Sequence, residues 1–223
     1  MNQAAKSLLG FVREVAIILL IALVISATLR AFIVQAFYVP SSSMEDTLQI
    51  NDRIVASKLS TRFGDIQRGD VVVFRDPGGW LPEPTPTQGL RGALTNALTF
   101  VGVLPSGAGK DLVKRAIAVG GDNISCCNSQ GRIVLNGEAL EESAYLKPGV
   151  TTDQVAFDVE VPAGHIFMMG DNRPDSRDSR YHLQVANGGV PESSVVGRAV
   201  FRIWPVTRLG NLPRPEIFES FAK

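Results

Sequence analysis

One stretch of the chain is apolar on every side. From Val15 to Leu29, VAIILLIALVISATL, fifteen consecutive residues carry no charge. Leu8 to Val12 extend the run backwards across Arg13 and Glu14. A helix without a polar face does not read as the amphipathic helix of a soluble domain. The uncharged run is shorter than the about 20 residues that span a bilayer. Arg13 can carry its charged end to the interface, with Glu14 expected as its partner, which gives a transmembrane span over residues 11–29. The competing reading is a cleaved signal peptide, with Val24 and Ser26 at the −3 and −1 positions. Arg30, directly after the run, reads as an interface anchor. The α-amine, Lys6 and Arg13 precede the run, whereas Glu45, Asp46 and Asp52 come before the next basic residue after Arg30. That bias places the N-terminus inside and the rest of the chain outside.

After residue 31 the pattern changes to short β-branched and aromatic runs separated by turn residues. It predicts strands at 32–39, 54–57, 71–74, 111–119, 155–161, 165–169 and 197–203. The segment ISCCNSQGRIVLNGEAL reads as a hairpin, with turns at Ser129-Gln130-Gly131 and Asn136-Gly137. Residues 76–110 begin with a Pro/Gly linker and continue as RGALTNALTFVGVL, a short-helix candidate, so they read as an insertion between strands. Its Trp80, Leu81 and Phe100 are expected to pack on the domain rather than on a membrane. Strands do not alternate with helices, so the expected class is all-β with mostly antiparallel sheets, preceded by one N-terminal transmembrane helix. The expected organisation is a tail and anchor over 1–30, an extracytoplasmic β-rich domain over 31–210, and a C-terminal tail over 211–223.

Composition narrows this picture. Among 223 residues, 22 Lys and Arg balance 22 Asp and Glu, which argues against a nucleic-acid binder. A hydrophobic fraction of 45% is ample for a core. The 21 glycines and 13 prolines fit a turn-rich β protein. Two cysteines cannot build a disulfide scaffold, and two histidines cannot build a His-rich metal site. Cys126 and Cys127 are adjacent, which leaves a vicinal disulfide and two thiols both open.

Three constellations carry candidate chemistry. The first is the turn Pro40-Ser41-Ser42-Ser43-Met44, where a serine would need an activating base to act as a nucleophile. The second is Lys114 in DLVKRAIAV. Strand alternation sets it on one face with Leu112, Ala116 and Ala118, and Arg115 on the other with Val113 and Ile117. Apolar neighbours favour the neutral amine and lower its pKa. The third is the polar loop GDNRPDSRDSRYH at 170–182, readable as a salt-bridged surface loop or as a network that orients a catalytic side chain. Ser43, Asp171 and His182 also occur in the order of a hydrolase triad, but without a G-x-S-x-G turn or strand–helix alternation. His165, at a strand start, reads as structural.

Together these residues resemble the bacterial type I signal peptidases, serine proteases with a Ser–Lys dyad. The motifs occur in the family's order: V-P-S-S-S-M at 39–44 with T-L at 47–48, D-R-I-V-A-S-K at 52–58, R-G-D-V-V-V-F at 68–74, V-K-R-A-I at 113–117, and G-D-N-R at 170–173 with D-S-R at 178–180. The resemblance covers most of residues 8–205. It implies Ser43 as nucleophile and Lys114 as general base. It implies Ser41 as an oxyanion-stabilising hydroxyl, Ser176 as a residue orienting the lysine, and Asp178 with Arg180 as a supporting ion pair. Phe37, Val39, Leu48 and Val113 match positions that line shallow pockets for small side chains. No metal or cofactor is required. The implied substrates are exported pre-proteins with an Ala-x-Ala-like site, and the implied partners are the lipid bilayer and the export translocon. The chain departs from the family at Asp46, where proline is usual, at Asn51, where glycine is usual, and at Pro174, where an acid is common. The alternatives are a self-cleaving Ser–Lys repressor relative, which the anchor disfavours, and an anchored β-rich binding module, which the joint presence of Ser43 and Lys114 disfavours.

Overall fold

The computed structural model describes residues 3–62, 64–82, 89, 92 and 111–221. The apolar run lies within one helix, α1 (Gln3–Phe32). Its 30 residues give a rod of roughly 45 Å at about 1.5 Å per residue. Within it, Leu9–Leu29 has a mean hydropathy of 2.4, and none of that stretch is buried. Arg13 and Glu14 form no ion pair among the described residues, contrary to expectation, because neighbouring helix positions do not face each other. The helix also takes in Phe32, which the pattern assigns to the first strand. The Ile33 N–H still donates to the Leu29 carbonyl at 2.8 Å, so extended backbone begins only at Val34.

The strands that follow are β1 (Val34–Tyr38), β2 (Arg53–Ser57), β3 (Val71–Arg75), β4 (Asp111–Val119), β5 (Asn123–Cys126), β6 (Ile133–Leu135), β7 (Glu138–Ala139), β8 (Phe157–Glu160), β9 (His165–Met169), β10 (Val190–Pro191), β11 (Val195–Trp204) and β12 (Gly210–Asn211). They form two antiparallel sheets. The larger has the order β1-β2-β11-β3-β4-β9-β10, with β12 beside β11, and the smaller has the order β7-β6-β5-β8. The all-β, antiparallel class with a leading apolar helix is what this chain forms. Local chemistry accounts for several joints. Asn136 and Gly137 both take positive φ, 52° and 87°, in the two-residue turn that closes the β6–β7 hairpin. Four consecutive residues of β3, Val71–Phe74, are buried, as expected of a strand covered on both faces. The short-helix candidate at 91–104 lies outside the described residues apart from Gly92.

Packing corrects one face assignment. Leu112 and Ala116 join Val72, Phe74, Ile166 and Met168 in one cluster, but Ala118 packs with Ile117 in another. The pairing of β4 with β9 shifts register between Ala116 and Ala118, and such a bulge turns later side chains to the other face. Cys126 and Cys127 are joined by a disulfide across a cis peptide, with their Cα atoms 3.0 Å apart. The segment after β12 packs back on the domain, where Phe218 is buried beside Tyr145.

Candidate active site

The turn after β1 is tied down at both ends. Val39 donates to the Asp52 carbonyl and Asn51 to that of Val39, each at 2.9 Å, which closes the loop from 39 to 52. Asn51 has φ 74°, a conformation asparagine tolerates better than most residues, and its Oδ1 accepts from the Tyr38 hydroxyl at 2.5 Å. Within the loop, Met44 and Leu48 are buried with Phe37, Val39, Val71 and Val73, and Val113 packs against them. This apolar grip leaves Ser43 only 6% exposed.

Lys114 lies on β4, opposite Val72, and is 3% exposed. Its Nζ donates to Ser43 Oγ. Burial pushes the lysine pKa down to about 8, against the opposing pull of the Asp178, Asp171 and Asp175 carboxylates. The Ser41 and Ser43 hydroxyl oxygens are 3.3 Å apart.

The polar loop that follows β9 closes the site from the other side. The Asn172 N–H donates to the Ser43 carbonyl at 3.0 Å, and its Nδ2 donates to the Ser42 carbonyl at 3.1 Å. Ser42 Oγ donates to Asp175. Asp178 is fully buried. It accepts from Ser176 Oγ at 2.7 Å, Gly170 N–H at 3.0 Å and Arg180 Nε at 2.8 Å. Among the described residues, Ser176 has this bond and none to Lys114. Gly170 is where the loop meets the serine turn. A Cβ there would lie 2.3 Å from Ser176 Oγ and 2.4 Å from the Ser43 carbonyl oxygen, so only glycine fits.

A second buried layer lies beneath the loop. Asp171 accepts from Arg115 through both oxygens, at 2.9 and 2.6 Å, and from Thr47 Oγ1 at 2.6 Å. Arg173 donates to the Gly170 carbonyl at 2.9 Å, to Thr152 at 2.7 Å and to Glu142 at 3.0 and 2.5 Å. Glu142 also accepts from Tyr145 at 2.5 Å. Glu142, Thr152 and Tyr145 carried no signal in the sequence. The density of charges at 170–180 announced a network, but not its partners.

A family model described as signal peptidase, peptidase S26, matches residues 12–204. The chain belongs to this family. Signal peptidase I of Mycobacterium tuberculosis is 37% identical over 221 residues, covering 89% of this chain and 74% of that protein. Signal peptidase I of Leptolyngbya laminosa is 34% identical over 195 residues, covering 87% of this chain and 81% of that protein. A crystal structure of a signal peptidase I from Enterococcus faecalis matches at 24% identity with a TM-score of 0.36, covering 60% of this chain and 96% of that one. Membership of the signal peptidase family makes the chain a peptidase.

The alternative triad is not assembled in this signal peptidase fold. Both Asp171 oxygens are held by Arg115 and Thr47, and Ser43 meets Lys114. His182 instead stacks on Trp80, ring centroids 4.5 Å apart and planes 8° from parallel. Trp80 also meets Phe74 edge to face, so it packs on the domain as expected. Asp46 has φ 84°, a value closed to proline, whose ring holds φ at about −65°. Phe37, Val39 and Leu48 are at most 2% exposed, and Val113 is the half-buried member of the group.

Proposed function

We propose that this chain is a membrane-anchored serine endopeptidase that removes N-terminal signal peptides from exported pre-proteins after small residues. The carrying observation is the contact between Lys114 Nζ and Ser43 Oγ, with a buried amine whose pKa is lowered to about 8. A lysine with that value is neutral for a useful fraction of the time near neutral pH, and a neutral amine can accept the serine proton.

The chemistry then runs in two stages. Lys114 takes the proton from Ser43 Oγ as the oxygen attacks the scissile carbonyl. The negative charge that develops on the carbonyl oxygen is met by the Ser43 N–H and the Ser41 hydroxyl, donors of a kind worth about 2.7–4 kcal/mol each. The Lys114 ammonium gives its proton to the leaving amine, and the first stage ends as an ester on Ser43. Water, deprotonated by Lys114, hydrolyses that ester and regenerates the serine. Asp178, held by Arg180 and Ser176, supports the ammonium that forms midway, because its carboxylate favours the charged lysine. Ser176 acts on the lysine through this carboxylate.

Substrate enters as an extended segment, its alternate small side chains directed at the surface around Val113, Phe37, Val39 and Leu48. The anchor is α1, with its N-terminus in the cytoplasm and the sheets outside. Its 21-residue apolar stretch has the length of a span. Pre-proteins are then met at the bilayer surface, where the export translocon releases them. The deciding experiment is cleavage of a signal-peptide-bearing pre-protein by wild type, S43A and K114A side by side. Specific cleavage by wild type alone is the expected result, and equal cleavage by S43A would sink the assignment.

A further inference from the structure

Away from Ser43, a cavity of about 240 Å³ opens between β11, β12 and the segment that follows. Its polar lining comes from Thr47, Arg115, Tyr145, Arg202, Asn211 and Arg214, and among the described residues no acidic side chain lines it. Two of the three arginines that line it share their counter-ions with a second arginine. Asp171 pairs with Arg115. Asp52 is shared by Arg202 and Arg208, at 4.0 and 2.9 Å. Asp70 is shared by Arg198 and Arg214, at 3.5 and 3.1 Å. Arg198 and Arg208, which share these two carboxylates, do not line the cavity, so Arg202 and Arg214 hold their counter-ions only in part.

The free donors are on the residues that line the cavity. Arg202 spends Nε on the Arg208 carbonyl and Nη1 on the Thr47 carbonyl, and its Nη2 has no acceptor among the described residues. Arg214 spends Nε and Nη2 on Asp70, and its Nη1 has none. Burial, then the neighbouring Arg208 guanidinium, pushes the Arg202 pKa down against the pull of Asp52, and an anion beside it would favour the charged form. We propose that this cavity binds a phosphate group, with Arg202 Nη2 and Arg214 Nη1 donating to its oxygens. A phosphate carries about −1.5 to −2 charges at neutral pH, and it offers several acceptors to two separate guanidinium groups. Trp204, Val206 and Leu209, exposed by 47%, 63% and 53%, follow Arg202 along the chain. The phosphate of an anionic lipid headgroup and free phosphate would meet the same donors.

The test uses the full chain in detergent. Thermal unfolding is compared in phosphate, acetate and chloride at matched pH and ionic strength. Wild type should unfold at a higher temperature in phosphate than in the other two salts. Arg214→Gln should lose that difference. Arg202→Lys should weaken it roughly tenfold in phosphate affinity, since it keeps the charge but loses the fork. Hydrolysis of a short soluble peptide reports that each variant is folded. An equal melting temperature in all three salts, or a full phosphate effect in a folded R214Q, overturns the site. Vesicles of phosphatidylcholine with and without phosphatidylglycerol then separate the sources. Preferential binding to the phosphatidylglycerol vesicles that free phosphate competes away and R214Q lacks assigns the site to lipid. Vesicle binding unchanged in R214Q, with the phosphate effect lost, assigns it to the free anion.

Discussion

The backbone N–H of Asn172 donates to the carbonyl oxygen of Ser43 at 3.0 Å, so the loop after β9 grips the very residue that meets Lys114. Gly170 makes that approach possible, because a methyl group there would collide with both Ser43 and Ser176. Gly170→Ala should destabilise the fold by about 1–3 kcal/mol, as overpacking usually does, and lower kcat at least tenfold by displacing the serine turn. Steady-state kinetics with a melting curve would decide, and wild-type values in both would refute the tight-fit account.

The dyad makes a sharp kinetic prediction. Ser43→Ala and Lys114→Ala should each abolish cleavage, and the double variant should be no worse, because residues acting as one unit fail together. Lys114→Arg should fail as well, since a guanidinium does not release its proton at accessible pH. Circular dichroism would confirm that the sheets persist. Residual turnover in K114R would remove Lys114 from the role of base.

Lys114 also sets the pH dependence. Its pKa is lowered to about 8, chiefly by burial, and only the neutral amine is active, so kcat/KM should rise through an acid limb near pH 8. Stability follows the same group with a definite sign. Between about 8 and the ordinary lysine value of 10.5 the unfolded chain holds the proton and the folded one does not, so stability rises with pH across that window. The burial penalty of roughly 3 kcal/mol is fully present below it. Lys114→Met should flatten that rise in pH-dependent melting curves. His182→Ala should leave the acid limb in place.

Asp178 should act on both properties. It favours the charged lysine, so Asp178→Asn should move the acid limb below pH 8. It should also cost about 3–5 kcal/mol, because Arg180 is left buried without its carboxylate partner. An unmoved pH profile in a folded D178N would separate this carboxylate from the lysine.

Anchoring can be tested by truncation. α1 ends at Phe32 and β1 begins at Val34, so only a single residue separates helix from sheet and Ser43 follows closely. A chain beginning near Phe32 should still cleave short soluble peptides and should lose most of its advantage on membrane-bound pre-protein, an effect on apparent affinity rather than on kcat. Equal processing of membrane-bound pre-protein by both forms would argue against it.

Much of the architecture is local and therefore readable. The all-round apolar run, the alternation in DLVKRAIAV and the Asn136-Gly137 turn each follow from the conformations open to a few neighbouring residues. Strand β4 begins and ends where the pattern sets it, at Asp111 and Val119. The joint presence of Ser43 and Lys114 could be read from motif order, and the burial of Lys114 from its apolar neighbours.

What remained for the tertiary structure is what depends on long-range partners. No local rule inserts β11 between β2 and β3, or turns Ala118 away from the Lys114 face through a bulge in β4 where it pairs with β9. Asp171 and His182 have the residue types of a triad, and only packing gives Asp171 to Arg115 and His182 to Trp80. Glu142 and Arg173 are 31 positions apart, and neither predicts the other until the fold buries both side by side. Sequence determined which chemistry the chain carries, because side-chain type and short-range periodicity are local. The structure decided which groups meet, because a buried charge takes the partner that folding brings to it, and folding joins residues far apart in the chain.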